Sequence, residues 1–260
     1  MIALHFGFGP VEAEFWRWLF VMARIGAAML AAPFFGSANV PPQVRVVVTG
    51  AVAVFVCSWT HVAAPPALLS LAGVVAMVGE LTIGLALGFV LQLAFAAPTV
   101  AAEIIGGAMG MSLATSIDPT SGAHSPALGQ YFAVTLTVVF LAFGGHLQWL
   151  ALIVRSYETF PPGAAWPGAE HLLEIAGFGS ALFATALGIA LPITVVLLLV
   201  QVLAGVLSRS APSLNLFSLG LPAGVLAGLA ALIASASLVT DQLTDLSAAA
   251  IAQVAQVTTR

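Results

Sequence analysis

Ionisable and nucleophilic side chains are so scarce in this sequence that each can be weighed for chemistry on its own. Glu80 and Glu103 stand in apolar surroundings, "VGELTIG" and "AAEIIGG". A carboxylate at membrane depth is costly to bury and is by default a candidate proton or ion site. Glu103 shares a helical face with Gly106 and Gly110, which points it at a neighbouring helix or a cavity. Two readings stand for it, a structural hydrogen bond, which is favoured, and a relay. Arg17 and Arg24 fall inside an apolar run, where an unpaired guanidinium costs about 3 kcal/mol or more. They must meet partners or water, or lie away from membrane depth. Asp118 precedes Pro119 and reads as a turn or cap residue.

The five histidines, His5, His61, His124, His146 and His171, are scattered. None has a helical partner or an acid at ligand spacing, so no metal site is expected. "GMSLA" (110–114) with His146 loosely follows a serine nucleophile and its base. The second small residue comes one place late and no orienting acid is evident, so no catalysis is expected there. No phosphate loop or dinucleotide fingerprint occurs, and no cofactor is expected. Cys57 is alone in "AVFVCSW" and reads as a small packed hydrophobe, without an internal disulfide.

The elements that must carry these residues follow from composition. Of 260 residues, 61% are hydrophobic and 6% charged, against roughly 25% charged in soluble domains. Such a chain belongs in a bilayer or is wrapped by other membrane subunits. It has no lysine, six arginines and a net charge of −4, which argues against a nucleic-acid surface. No basic region followed by a short apolar core opens the chain, so no cleaved signal peptide is expected.

Apolar runs long enough to span a membrane lie at about 13–32, 44–63, 67–97, 126–154, 178–207 and 214–238, with a shorter helix at about 98–115 after Pro98. The expected fold is therefore all-α, a polytopic helical membrane protein; the short alternating strands of a membrane barrel are absent. Pro10, Glu12 and Glu14 suit the start of the first helix. Loops are expected at 33–45 and 156–174, and a tight hairpin at 208–215. Small residues recur at four-residue spacing in three rows: Gly84 and Gly88; Gly106 and Gly110; Gly220, Gly224 and Gly228. Such rows let helix backbones touch, within the chain or between chains. Between 105 and 130 the apolar pattern gives way to Gly, Ser, Thr and Pro. Two classes remain at this point: a small-solute transporter with an unwound helix lining its site, or a subunit of a larger membrane assembly.

Four stretches carry a resemblance that separates them. "RIGAAMLAAPFFGSANVPPQVRVVVTGAVAVFV" (24–56), "GELTIGLALGFVLQLAFAAPTVAAEIIGGAMGMSLATSIDPTSG" (79–122), "LAFGGHLQWLALIVRSYETFPPG" (141–163) and "ALPITVVLLLVQVLAGVLSRSAPSLNLFSLGLP" (190–222) resemble, in order, the FliR family of type III export-gate subunits. The resemblance covers about 15–240. It implies a non-enzymatic subunit of the flagellar protein export gate, or of the homologous injectisome. A FliP-like part (1–175) and a FliQ-like helical hairpin with a tail (176–260) would follow one another. The implied partners are FliP-like and FliQ-like subunits, an FlhB-like switch protein and unfolded export substrates, at the bacterial inner membrane in the flagellar basal body. Much of such a gate is lifted out of the bilayer plane, which would account for Arg17 and Arg24.

The resemblance also gives the central break a role, as a plug across the closed channel at about 105–126. The plug loop would comprise Met109, Gly110, Met111, Ser112, Leu113, Ser116 and Ile117, with the blocking resting on Met109, Met111, Leu113 and Ile117. Arg24, Glu80 and Glu103 are expected as buried polar groups. Arg209 and Pro212 are expected on a hairpin that meets a partner, or, for Arg209, at the helix end as a cap of its dipole.

Overall fold

A computed structural model describes residues 10–37, 40–59, 70–111, 126–162, 168–210 and 220–259. The described residues form eight helices and no strand: α1 (Pro10–Ala31), α2 (Pro42–Trp59), α3 (Leu71–Ala108), α4 (Pro126–Ala142), α5 (Gly145–Thr159), α6 (Ala169–Ser210), α7 (Leu221–Ala234) and α8 (Ala236–Thr259). The chain is an all-α membrane protein. α2, α3 and residues 170–210 of α6 are each long and apolar enough to cross a bilayer, and two bent pairs, α4–α5 and α7–α8, raise the number to five if each is one span.

Proline and glycine set the boundaries. α1 opens on Pro10 and α2 on Pro42, where a missing N–H costs nothing. Between them the chain reverses through Gly36, whose N–H donates to the Ala32 carbonyl at 2.7 Å. A β-carbon at Gly36 would lie 2.2 Å from the Leu30 carbonyl oxygen. Only glycine fits that turn. The Arg45 guanidinium, one turn into α2, donates to the carbonyls of Ser37 and Val40 and so ties the turn to the helix.

Four expectations about the helices are corrected. α3 runs unbroken for 38 residues through Pro98, instead of stopping there, and ends at Ala108 rather than near 115. Proline removes one helical hydrogen bond, and membrane helices tolerate this where neighbouring groups satisfy the freed carbonyl. The run 126–154 is two helices bent by 68°, because Gly144 adopts φ +68° and ψ 20°, a left-handed conformation that ends α4. The last run is likewise split at Ser235, by 64°. Its second half continues as α8 to Thr259, where only a tail was expected. Val239, Leu243, Leu246, Ala250, Val254 and Val257 recur at three- and four-residue spacing and are all buried. That is an amphipathic helix, too polar on its other face to register as a spanning run. Finally, α1, expected as a span, is not among the helices apolar enough to cross on their own: it carries Glu12, Glu14, Arg17 and Arg24.

Contacts divide the chain into two compact units. One comprises Met1–Leu93, Gly144–Gly179 and Ala249–Arg260; the other comprises Ala94–Phe143 and Ser180–Ala248. In the first, Phe20, Ile25, Leu87, Trp149 and Ile153 form a buried core. Trp149 donates its indole N–H to the Leu87 carbonyl at 3.2 Å and has Phe35 stacked near it at 6.3 Å. In the second, Phe95 and Phe140 meet edge to face at 5.7 Å, with Leu136, Ile189, Leu197 and Leu243 buried.

Candidate functional site

Within the first unit the apolar core holds a fully buried guanidinium. Arg24 of α1 has no exposed surface, and Glu80 of α3 has 2%. Arg24 Nε donates to Glu80 Oε2 and Nη2 to Oε1, both at 2.8 Å. This two-pronged geometry is the strongest an arginine and a carboxylate can make. Nη1 donates to Ser156 Oγ at 2.9 Å, and Nη2 also donates to the Phe160 carbonyl at 2.6 Å. Ser156 Oγ in turn donates a hydrogen bond to the Ile153 carbonyl at 2.6 Å. The Tyr157 ring stacks on the guanidinium, 4.0 Å from centroid to Cζ, while its hydroxyl donates to the Val21 carbonyl at 2.9 Å. Phe160 is the C-cap residue of α5. Arg24 therefore neutralises Glu80 and also satisfies a carbonyl at the negative end of α5.

The helices can approach this closely because Glu80 shares a row with Gly84 and Gly88. A β-carbon at Gly84 would sit 2.2 Å from the Arg24 carbonyl oxygen, and one at Gly88 would sit 2.3 Å from that of Ala28. The first glycine row thus docks α3 on α1 of the same chain. Both oxygens of Glu80 are held by one arginine, an arrangement suited to fixing helices rather than relaying protons.

Glu103 is different. It is exposed on α3, which corrects its placement among the buried polar groups. Arg17 is neither buried nor alone: it pairs with Glu14 at 3.0 Å, and the two side chains are 29% and 61% exposed. Sequence reasoning missed Ser156, Tyr157 and the Phe160 carbonyl, because "RSYETFPPG" reads as the start of a loop. Four-residue spacing between Ser156 and Phe160 was the available signal that α5 runs on to Thr159.

Within the second unit lies the root of the central break. α3 closes with a Schellman motif: Met111 N–H donates to the Gly106 carbonyl and Gly110 N–H to that of Gly107, both at 3.0 Å. Gly110 takes φ +82°. It therefore lies beyond the helix and does not form a helical row with buried Gly106, as the spacing suggested. Gln201 of α6 donates to the Ala108 carbonyl at 2.6 Å. Met109, expected to seal a channel, is 4% exposed. β-Carbons at Gly228 and Gly224 would meet its Cε at 2.6 Å and its carbonyl oxygen at 3.1 Å. Within this chain Met109 is an anchor, and the third glycine row makes room for it. Gly220 is the N-cap residue of α7. Met111 lines an apolar cavity of about 500 Å³ with Leu128, Tyr131, Phe132, Val225 and Leu229. Ser112, Leu113, Ser116, Ile117, Asp118 and Pro212 lie outside the described residues. Arg209 is exposed in the last turn of α6, where a cation suits the dipole. Among the described residues no cluster of His, Cys, Asp and Glu could hold a metal ion.

Gly110→Ala is expected to destabilise the end of α3 by about 1 kcal/mol, the cost of a left-handed alanine. Gly107→Ala is the control, since its β-carbon would meet nothing within 4 Å. Melting curves of the purified protein should show a loss for the first and none for the second.

Residues 15–250 match the family described as bacterial export proteins, family 1. The flagellar biosynthetic protein FliR of Escherichia coli (strain K12) is 33% identical over 229 residues, covering 86% of this chain and 87% of that one. FliR of Bacillus subtilis (strain 168) is 32% identical over 208 residues, 78% of this chain and 80% of its own length. The surface presentation of antigens protein SpaR of Shigella flexneri is 37% identical over 145 residues, 56% of each. The matched span takes in both the Arg24–Glu80 helices and the glycine-capped end of α3, and the chain belongs to the bacterial export proteins of family 1.

Proposed function

We propose that this chain is a non-enzymatic subunit of the flagellar type III protein export gate, part of the channel that passes unfolded flagellar subunits across the bacterial inner membrane. The observation that carries it is the length of the likeness: relatives named flagellar biosynthetic proteins align over most of both chains. The SpaR match supports the injectisome as a second reading, over a shorter span. In this proposal the chain contributes a FliP-like part (1–175) and a FliQ-like hairpin (176–260) to a basal-body complex with FliP-like, FliQ-like and FlhB-like subunits. Arg209 and Pro212 face such a partner. Removing the gene should stop export of hook and filament proteins, and the intact chain should restore it. Normal export without it, or a stable lone chain with no FliP- or FliQ-like partner on purification, would refute the gate.

The central break serves as the plug in this reading. Met109, seated on Gly224 and Gly228, roots it, while Met111 and the residues after it, Ser112, Leu113, Ser116 and Ile117, close the channel. Methionine adapts to irregular gaps, which suits a gasket. Met111→Ala with Leu113→Ala, or deletion of 110–116, is expected to let ions and small solutes leak through an assembled gate. Unchanged conductance with normal assembly would remove the plug role.

A further inference from the structure

We infer that the Trp18–Trp59 end of the α1–α2 hairpin is an anchor for the headgroup layer of a lipid bilayer. The inference rests on the membrane reading above and adds a depth to it. α1 and α2 run antiparallel: Thr49 Oγ1 donates to Met29 Sδ at 3.4 Å near the end of α1, while Glu14, Phe15 and Trp18 near its start line a cleft with Val54, Cys57 and Ser58 of late α2. Three of the five tryptophans, Trp16, Trp18 and Trp59, are thereby brought to one end with Phe15 and Phe55. The Phe15 ring lies 5.3 Å from that of Trp16 and 5.9 Å from that of Trp18, and Phe55 stacks on Trp59 at 5.5 Å. These rings are not core: Trp59 is 79% exposed, Phe55 56% and Phe15 50%.

Charge sits at the same level. A shallow cleft of about 340 Å³ is lined by Glu14, Phe15, Trp18, Cys57 and Ser58, and Glu14 is paired with Arg17. Amphipathic rings beside self-neutralised charge match the boundary between hydrocarbon and water. Away from this end, the outward stripe of α2 is Val44, Val47 and Ala51, all exposed and without a polar atom in any side chain. The 18 residues of α2 rise about 27 Å, close to the ~30 Å of a hydrocarbon core. Its opposite end carries Arg45, turned back onto the carbonyls of Ser37 and Val40. A helix of membrane length, apolar on its outer face, with rings at one end and arginine at the other, is fitted to lipid. A protein partner needs no such length match.

The test uses the full chain, co-expressed with its partners and reconstituted into vesicles of phosphatidylcholine and phosphatidylglycerol. In a Cys57→Ser background, nitroxide labels at Ala51→Cys, Ser58→Cys and Trp59→Cys are compared by collision with oxygen and with a water-soluble nickel chelate. Oxygen collisions should dominate at 51. At 58 and 59 the nickel chelate should gain at least tenfold relative to oxygen over its share at 51. Suppression of both probes at all three positions would mean a protein covers the face, and the anchor would be wrong. Nickel dominance at all three would place the face in water, and oxygen dominance at all three would place it too deep; either also overturns it. Co-purification of partners reads the gate proposal separately, so the two can fail independently.

Discussion

Arg24→Leu is expected to leave almost no folded protein in the membrane. The substitution strands the Glu80 carboxylate in an apolar core, 2% exposed. It also removes the donors to Ser156 Oγ and the Phe160 carbonyl. Breaking a buried pair from one side costs about 3–5 kcal/mol, set against a total stability of roughly 5–15 kcal/mol. Glu80→Leu should be equally severe, since it strands the guanidinium. Arg24→Lys should fall between, because one ammonium cannot reproduce the fork that meets four acceptors. The informative variant is the double one. Arg24→Leu with Glu80→Leu removes both charges and should recover part of the loss, with Ser156 and the end of α5 still short of a donor. Membrane levels by immunoblot and melting of the detergent-solubilised complex measure this. Normal accumulation of Arg24→Leu alone would mean that the pair does not hold the helices.

Gly84→Ala and Gly88→Ala should do nearly as much damage for the opposite reason, too many atoms rather than too few bonds. The added carbons would lie 2.2 and 2.3 Å from backbone oxygens of Arg24 and Ala28, and backbone cannot swing aside as a side chain does. α1 must move off α3, which also stretches the bonds between Arg24 and Glu80. Overpacking a tight core costs about 1–3 kcal/mol, and these sites belong at the upper end. Gly79→Ala, on the same helix, meets nothing within 4 Å and should be neutral or slightly stabilising. Similar melting temperatures for Gly79→Ala and Gly84→Ala would show that the close helix contact is not what holds α1.

Much of the architecture was legible in the chain because the bilayer imposes a simple rule. Backbone groups in lipid must be satisfied within the segment, so long apolar runs must be helices. Helix number was less legible, since a spanning run and a bent pair look alike in hydropathy. Gly144 could be seen in the sequence, but so could Gly79, Gly107 and Gly177, which sit inside unbroken helices. Only the surroundings decide which glycine turns left-handed. Pro98 shows the converse: the strongest breaker residue lies within a continuous α3.

The sequence by itself determined that this is an all-helical membrane chain with two arginines needing an explanation, rows of small residues and a breaker-rich centre. All of these depend on composition and on spacing along one helix. The tertiary structure alone decided how those needs are met. Glu80 and Glu103 have similar apolar flanks, yet one is buried against Arg24, 56 residues away in sequence, and the other is exposed. Gly84 faces α1, and Gly228 faces Met109. A helix tells which residues share a face, but which face meets another helix depends on how distant segments cross. That is set by the summed packing of all of them.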